Sequence, residues 1–315
     1  KTDALVFAGD SPPLNPPTTN VRTEAWNGTA WFEVNDMATE RRSFGTMGPQ
    51  TSLLAFGGEN PSLAFMSKTE SWNGTNWTSV NDMNTSVQQR RGSGNASSGF
   101  AAGGSTPSFT AATEEWNADV ATGAWVTGAN MNVARSELSG AGTRTAALAF
   151  GGNDGGSGGG PPVVANTESW NGTSWAQVNA LNQARRFMAG IGTQTAALAV
   201  TGTQSSPGLP GLLTNVEEWN GYVWTEIADV TNALLGRAGL GTATAGLVAS
   251  GQGPGSPSLK TVVESWNGSS WTEVGDVNTA RTDFAGAGTS TSGLVYGGEA
   301  GPGFTGATES WNGSS

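Results

Sequence analysis

Two ionisable side chains, a glutamate and an arginine, recur at fixed positions along this chain. The glutamate stands two residues before a tryptophan, and the arginine stands just before a glycine-rich segment. A catalytic carboxylate needs an environment that sets it apart, whereas equivalent groups in every repeat indicate a structural role. We therefore interpret the two series as buried Arg–Glu bonds that link neighbouring repeats, bidentate where the geometry permits. The glutamates are Glu24, Glu70, Glu114, Glu168, Glu217, Glu264 and Glu309, and the arginines are Arg41, Arg90, Arg135, Arg185, Arg237 and Arg281.

Missing residue types disfavour several reaction classes. The sequence has no histidine and no cysteine, and its only phenols are Tyr222 and Tyr296. Because histidine is the commonest general base and metal ligand, Ser-His-Asp hydrolysis, zinc hydrolysis and copper-radical oxidation are disfavoured. We predict that the protein is not an enzyme and uses no cofactor or metal. The catalytic alternative that stays open is a glycosidase with paired carboxylates, whose candidates are the loop acids Glu59, Asp154 and Glu299.

The charge pattern limits the choice of partners. Charged residues make up 12% of the chain, the net charge is −11, and the 14 Lys and Arg residues form no run longer than a pair. Nucleic-acid binding needs a basic stripe, so we expect no nucleic-acid partner. The longest apolar runs are strand-length, so we expect no membrane insertion. The 48 glycines, together with many Ser, Thr and Asn residues, suit a virion-borne or extracellular β-protein.

Tryptophan pairs set the period of the chain. A segment close to TESWNGTSWTEV recurs about every 47 residues, and a period of about 40–50 residues with strand-type composition indicates a β-propeller. The paired rings could be sugar-stacking platforms or packing between adjacent blades. We favour packing, because a glycine-rich chain needs the roughly 150–250 Å² that each ring buries. Well-preserved pairs are Trp26 and Trp31, Trp72 and Trp77, Trp170 and Trp175, and Trp266 and Trp271.

Each repeat divides into four strands. A small-residue Gly-x-Gly strand, expected innermost where strands crowd, precedes an apolar strand that ends in a glycine pair. After a variable loop come two strands joined by an Asn-Gly turn, for which we predict type I′ geometry. Asn-Gly-Thr/Ser also matches N-glycosylation acceptors, at Asn27, Asn73, Asn171, Asn267 and Asn312. We favour the turn explanation, since Asn220-Gly-Tyr222 loses the acceptor pattern but keeps the tryptophan pair.

This order of features resembles the kelch repeat, which forms four-stranded blades of β-propellers. In one repeat the matching residues are Gly57–Gly58, Trp72, Trp77 and Arg90. The chain departs from the kelch pattern in having Trp in place of Tyr, a shorter spacing between the aromatic residues, and Thr201 and Ser250 in place of a glycine. The repeats also look like kelch-type structural proteins of marine bacteriophages, especially cyanophages. That likeness implies a virion component, with other virion subunits or host surface glycans as partners.

Counting strands gives 26, which predicts an all-β, single-domain propeller of seven blades that lacks two strands where the sequence is cut. Six blades with an overhang are the alternative. The sequence starts without Met and stops inside a repeat, so we expect a window on a longer chain. The predicted blades span about residues 1–35, 41–80, 90–127, 135–178, 185–227, 237–274 and 281–315.

The long loops between the second and third strands differ most from repeat to repeat, and function concentrates on such loops when a rigid scaffold holds them. Their apolar residues could pack on the propeller or form a contact surface. The glycine-rich run at 153–160 lacks the Lys and helix of a phosphate loop, so we interpret it as a linker. The loops span residues 10–20, 59–67, 105–111, 153–165, 203–213, 252–261 and 299–306. The candidate binding residues are Phe65, Met66, Phe109, Asp154, Leu209, Leu212 and Phe304, with Leu213 as a further apolar residue.

We therefore predict a non-catalytic structural or interaction module on a phage virion surface or tail fibre, with carbohydrate binding and host recognition through the long-loop face. A secreted bacterial kelch-type adhesin or scaffold is the alternative. A homo-oligomer stays open. A galactose-oxidase-like enzyme would need His and a Cys-linked Tyr, which the chain cannot provide.

Overall fold

The chain folds into strands joined by turns and loops. The computed structural model describes residues 4–8, 10–11, 18–19, 21–27, 29–49, 51–118, 124–156, 162–205, 211–254, 258–301, 303–305 and 307–313. Within these ranges every regular element is a β-strand. Among the residues described, no helix has the length and hydrophobicity needed to traverse a lipid bilayer.

Seven antiparallel sheets, here called blades 1 to 7, follow one another along the sequence. Their strand orders are β1-β4-β5, β6-β7-β8-β9, β10-β11-β12-β13, β14-β15-β16-β17, β18-β19-β20-β21, β22-β23-β24-β25 and β26-β27-β30. These sheets hold the 26 strands that the sequence predicts, with the two incomplete blades at the two ends of the chain. Seven blades are therefore confirmed over the alternative of six. Two further strand pairs, β2-β3 and β28-β29, lie inside long loops.

The chain forms two compact units, the first made of residues 1–136, 143–145 and 170–175 and the second of residues 137–142, 146–169 and 176–315. The strands up to residue 136 are β1 (Ala4–Phe7), β2 (Asp10–Ser11), β3 (Thr18–Thr19), β4 (Thr23–Trp26), β5 (Trp31–Glu33), β6 (Gly45–Met47), β7 (Leu53–Phe56), β8 (Thr69–Trp72), β9 (Trp77–Val80), β10 (Arg91–Gly94), β11 (Ser98–Ala102), β12 (Thr113–Asn117) and β13 (Ala124–Thr127).

The later strands are β14 (Ser139–Thr143), β15 (Ala146–Phe150), β16 (Thr167–Trp170), β17 (Trp175–Val178), β18 (Ala189–Thr193), β19 (Ala196–Val200), β20 (Val216–Trp219), β21 (Trp224–Ile227), β22 (Ala238–Thr242), β23 (Ala245–Gln252), β24 (Leu259–Trp266), β25 (Trp271–Glu273), β26 (Ala285–Thr289), β27 (Ser292–Tyr296), β28 (Glu299–Ala300), β29 (Gly303–Phe304) and β30 (Thr308–Trp311). In blade 6, β23 and β24 extend into the predicted loop 252–261, past a register shift between Ala249 and Gly251. That loop is therefore shorter than the sequence suggests.

The Gly-x-Gly segment forms the first strand of blades 3 to 7, where neighbouring backbones approach closely. A Cβ on Gly239 would lie 2.8 Å from Ile191 Cγ1 and 3.1 Å from the Gly190 carbonyl of the preceding blade. Real Cβ atoms do not tolerate such distances without displacing a neighbour, so only glycine fits. The expectation of small residues in the inner strand is confirmed at this position.

The Asn-Gly hairpins join the third and fourth strands through four-residue loops. In blade 4, Asn171 Oδ1 accepts hydrogen bonds from the amides of Thr173 and Ser174, both at 2.9 Å, and only Gly172 has a positive φ, of 92°. A type I′ turn needs positive φ at both central residues, so that prediction is wrong. The asparagine contributes a side-chain acceptor that closes the loop, and the glycine alone supplies the left-handed conformation.

The tryptophan pair of each repeat forms a cross-strand pair in the sheet. Trp72 lies opposite Trp77 in the register of β8 and β9, with ring centroids 5.4 Å apart. Trp116 and Trp125 are also opposite, at 5.6 Å, although their hairpin is longer in sequence. Such tilted aromatic pairs add stability beyond the area they bury, which supports the packing interpretation.

Candidate functional site

The recurring Arg–Glu pairs are buried ion pairs. In blade 5, Arg185 Nη2 donates to Glu217 Oε1 at 2.6 Å, and both side chains are fully excluded from solvent. Arg185 Nη1 donates to the backbone carbonyls of Asn215 (2.7 Å) and Thr201 (3.3 Å). The guanidinium thus joins the ends of the second and third strands, since its donors are divided between a carboxylate and two carbonyls.

The second carboxylate oxygen binds the segment that enters the blade. Glu217 Oε2 accepts hydrogen bonds from the amide and the side chain of Asn182, at 2.6 and 2.8 Å. Arg185 precedes β18 and Glu217 lies in β20 of the same blade, so the prediction that these pairs link neighbouring blades is wrong. The antiparallel return of the third strand places the carboxylate beside the incoming segment of its own blade. Each pair therefore fixes that segment to its blade.

The arginine occupies either of two positions that lie three residues apart in the repeat. Arg90 donates to Gly103 O, Ala112 O and Glu114, which correspond in the repeat to the three acceptors of Arg185. Yet Arg90 aligns with Met188, and Val87 aligns with Arg185. Each of blades 2 to 7 therefore has one arginine and one apolar residue at these positions. In order, the pairs are Arg41 and Phe44, Val87 and Arg90, Arg135 and Leu138, Arg185 and Met188, Leu234 and Arg237, and Arg281 and Phe284.

Burial also perturbs the ionisation of these guanidinium groups. Desolvation lowers the pKa of Arg41, Arg90, Arg185 and Arg237, and the carboxylate beside each group raises it again in part. The negative charge of the paired glutamate therefore stabilises the positive charge of each buried arginine at neutral pH. This accounts for the recurrence of both residues.

Neighbouring blades are joined instead by the outer tryptophans. Trp224 Nε1, in blade 5, donates to Thr167 Oγ1 of blade 4 at 3.0 Å. The Trp224 ring also meets Phe150 of blade 4, with centroids 5.0 Å apart. The same donor–acceptor pair recurs in Trp77 with Thr23, Trp125 with Thr69, and Trp175 with Thr113.

A second set of links lies between the segments that enter the blades. Glu137, Phe187, Gly236 and Asp283 are equivalent residues of successive blades, and each has a positive φ. The amide of each of the last three donates to the carbonyl of the one before, at distances from 3.1 to 3.2 Å. Because an L-residue pays a conformational cost in this region, its recurrence marks a backbone geometry that the blade junction requires.

One blade junction lacks the indole–hydroxyl bond. Trp271 of blade 6 packs against the core cluster that contains Val216 of blade 5, and Val216 occupies the position where blades 1 to 4 have a threonine. Its buried Nε1 has no hydrogen-bond partner among the described residues. A buried unpaired donor costs about 1–3 kcal/mol, so this junction is weaker than its counterparts.

The long loops are fixed at their bases. Glu59 begins one loop, pairs through its backbone with Arg42 and Phe65, and accepts hydrogen bonds on Oε2 from Arg42 Nε and Nη2 at 3.1 and 3.0 Å. In the second unit, Arg186 donates to Glu137 Oε2 at 2.6 Å and to the Ser205 carbonyl at 3.1 Å. Loops held in this way present their tips from a rigid base.

The apolar loop residues mostly pack on the blades. Met66 and Leu213 are buried, and Phe65, Phe109 and Leu212 are partly buried at backbone bridges. Asp154 is half-buried and accepts from the Gly156 amide at 2.9 Å. Phe304 lies in β29 opposite Glu299, and Leu209 lies outside the described residues. Of the two interpretations left open, packing fits the described residues better.

Several exposed hydrophobic residues escape the sequence interpretation. Leu63, with a φ of 62°, is 57% exposed at the tip of the loop 59–67. Tyr222 is 80% exposed in the hairpin of blade 5. The sequence signal for Tyr222 was its departure from the Asn-Gly-Thr/Ser pattern of the other hairpins. At the level of sequence, that departure served only as an argument against N-glycosylation. The other large exposed hydrophobic residues are Phe32, Val126 and Val223.

Glu59 and Glu299, two of the loop acids considered for a glycosidase, differ in whether an ion pair engages them. Glu59 is paired with Arg42, whereas Glu299 is exposed and joins Thr282 through backbone bonds. Among the described residues, no group of three or more acidic side chains could hold a metal ion.

Comparison with solved structures defines the class of protein. The solved structure of YjhT, a β-propeller, matches with a TM-score of 0.67 and 13% sequence identity, over 86% of this chain and 95% of that one. The chain is thus an all-β, seven-bladed β-propeller, a fold that fits a non-catalytic interaction module. No protein-family model matches the chain, and no curated protein matches it. At this identity the likeness establishes the fold alone.

Proposed function

We propose that this propeller is a non-catalytic interaction module that docks through the long-loop ends of its blades. The observation that carries the proposal is the pairing of variable loops with fixed bases, as in the Arg42–Glu59 and Arg186–Glu137 ion pairs. Rigid bases reduce the entropy that a loop loses on binding. The exposed Leu63 at one loop tip supplies an apolar contact of the kind that interfaces use.

The module is a component of a virion surface or tail, and it contacts neighbouring virion subunits or host surface glycans. The repeat's resemblance to marine phage proteins, the low charge and the variation confined to one end of the blades support this role. A secreted bacterial kelch-type adhesin is the alternative. Capsid and tail genes beside the coding sequence would favour the virion, and their absence would favour the adhesin.

Loop replacement tests the docking surface. Residues 60–64, between the bridge residues Glu59 and Phe65, are replaced by a short Gly-Ser turn, which leaves the Arg42–Glu59 pair in place. We expect loss of particle assembly or of host adsorption, with an unchanged melting temperature. The matched control replaces Ser269 and Ser270, which lie in the Asn-Gly hairpin of blade 6. In each blade this hairpin lies at the end of the strands opposite to the long loop. Particle assembly and host adsorption that both survive replacement of every long-loop tip would contradict the proposal.

We also propose that the chain catalyses no reaction. Four of the recurring carboxylates, Glu70, Glu114, Glu217 and Glu264, are engaged by arginines. The sequence also lacks His and Cys. Copper-dependent release of peroxide from a sugar, or hydrolysis of a glycoside that Glu299→Gln abolishes, would contradict this.

A further inference from the structure

We propose that Tyr222 and the groove beside it form a binding site for a neutral sugar. Tyr222 lies in the hairpin Asn220–Val223 between β20 and β21, and 80% of the residue is exposed. The equivalent positions in other blades hold small hydroxyl residues, Thr75, Thr173 and Ser269. A large aromatic side chain that replaces a small polar one, and that the fold leaves uncovered, has no packing role to explain it.

The groove lies between the fourth strand of blade 4 and this hairpin. It is open and has a volume of about 500 Å³. Its lining residues are Gln177, Val178, Asn179, Trp219, Gly221 and Tyr222. A volume of this size accommodates one or two sugar rings, since small-molecule sites occupy roughly 300–1,000 Å³.

The tyrosine sits on a fixed backbone. Asn179 Nδ2 donates to the Tyr222 carbonyl at 2.8 Å, which ties the hairpin to the neighbouring blade. Asn220 Oδ1 accepts hydrogen bonds from the amides of Tyr222 and Val223, both at 3.0 Å. The ring therefore projects from a backbone that is ordered before any ligand arrives, which lowers the entropic cost of binding.

The chemistry of the lining selects the ligand class. The six residues carry no charge, so the groove offers no counterion for a phosphate, sulfate or carboxylate. The amides of Gln177 and Asn179 provide both donors and acceptors, which suits hydroxyl groups. The electron-rich face of Tyr222 favours the polarised C–H groups on one side of a pyranose ring. The net charge of −11 further disfavours acidic glycans.

This site is independent of the long-loop docking surface. The hairpin between β20 and β21 and the loop between β19 and β20 lie at opposite ends of the blade 5 strands, because successive antiparallel connections alternate ends. Removal of the long loops should leave sugar binding at Tyr222 unchanged.

The two tyrosines make a direct test practical. The full chain is labelled with ring ¹³C-tyrosine and titrated, by NMR, with neutral cello-, malto-, chito- and galacto-oligosaccharides at millimolar concentration. We expect one of these series to shift the Tyr222 ring signals in a saturable way, while the signals of Tyr296 stay unchanged. Tyr222→Thr, which restores the residue type of other blades, should weaken that binding about tenfold or more, and Tyr222→Trp should retain it.

Calorimetry of unlabelled protein measures the same affinities, and the melting temperature of each variant verifies folding. Tyr222 signals that respond to none of the neutral series would overturn the proposal, as would equal affinity of the Tyr222→Thr variant. A response only to sialylated or sulfated glycans, or only to peptides, would also overturn it. Particle assembly and host adsorption that survive replacement of every long-loop tip, together with a saturable Tyr222 response, would contradict the proposed function alone.

Discussion

Arg185 Nη2 donates to Glu217 Oε1 at 2.6 Å in a site from which water is wholly excluded. Arg185→Leu leaves the buried Glu217 without a cation to neutralise its charge, and it removes the Arg185 hydrogen bonds to the carbonyls of Asn215 and Thr201. We expect a loss of about 3–5 kcal/mol in the free energy of unfolding, the usual cost of breaking a buried pair. Urea denaturation followed by tryptophan fluorescence measures it. An unchanged transition would show that the pair contributes nothing to stability.

The double variant Arg185→Leu with Met188→Arg transposes the two residue types to the order found in blades 3 and 6. Leu234 and Arg237 show that an arginine at the second position reaches its glutamate, with Arg237 Nη1 at 2.7 Å from Glu264 Oε2. We expect the double variant to recover at least half of the stability that Arg185→Leu loses. A double-mutant cycle measures the coupling. If Met188→Arg adds a further loss to the single variant, blade 5 does not accept the transposition.

Val216→Thr places a hydroxyl against the unpaired Trp271 Nε1. Because the substitution preserves side-chain shape and supplies an acceptor, we expect a gain of about 1 kcal/mol in the free energy of unfolding. The reciprocal variant, Thr167→Val, removes the acceptor of Trp224 Nε1 and should cost about 1–3 kcal/mol. Thermal unfolding of both variants provides the comparison. Changes of the same sign in the two variants would contradict the indole–hydroxyl account.

Asn171→Ala removes the acceptor that holds the Thr173 and Ser174 amides, and we expect it to cost about 0.5–2 kcal/mol, by analogy with the loss of a helix cap. Asn171→Asp keeps an oxygen acceptor but abolishes the N-glycosylation pattern, so its melting temperature should stay near that of the parent. A drop of equal size in both variants, or a mass shift from a glycan in the parent protein, would favour a glycan role over the turn.

Burial raises the pKa of Tyr296 above its ordinary value of 10.0. In Tyr222→Phe, Tyr296 is the sole phenol, so absorbance near 295 nm follows its ionisation alone. The folded-state pKa exceeds the unfolded one, so this phenol's contribution to stability is complete below about pH 10 and is lost as pH rises through the folded-state pKa. A titration midpoint at or below 10 would show that the phenol is solvated.

The fold was predictable because the repeat carries it. Trp72 and Trp77 lie five residues apart, which predicts a hairpin between them. The glycine pairs predict a left-handed backbone where the second strand ends. Thr201 and Ser250 adopt that backbone although they are not glycines, at φ values of 61° and 51°. The sequence predicted that each arginine pairs with a glutamate, but it did not show that the two residues belong to the same blade. Sequence spacing alone does not reveal that the third strand returns beside the segment that enters its own blade.

The candidate surface was harder to predict, because exposure depends on how loops fold back. Phe65 and Phe109 look like contact residues in the sequence, but both are partly buried where their backbones bridge to Glu59 and Ser105. Tyr222 shows the opposite case. Its hairpin position holds a small hydroxyl residue in other blades, and here it holds a large aromatic residue that stays exposed. The recurring residues of the repeat reveal the fold, whereas the exposed candidate site at Tyr222 lies where one repeat differs from the others.

The direction of the indole–hydroxyl bonds has a consequence for biosynthesis. Thr23, Thr69, Thr113 and Thr167 each lie at least 54 residues before the tryptophan that donates to them. A ribosome therefore completes every acceptor before its donor emerges, and each new blade docks onto one that is already made. A nascent chain halted between blades leaves a small hydroxyl uncovered at its growing end, while its newest indole is already covered.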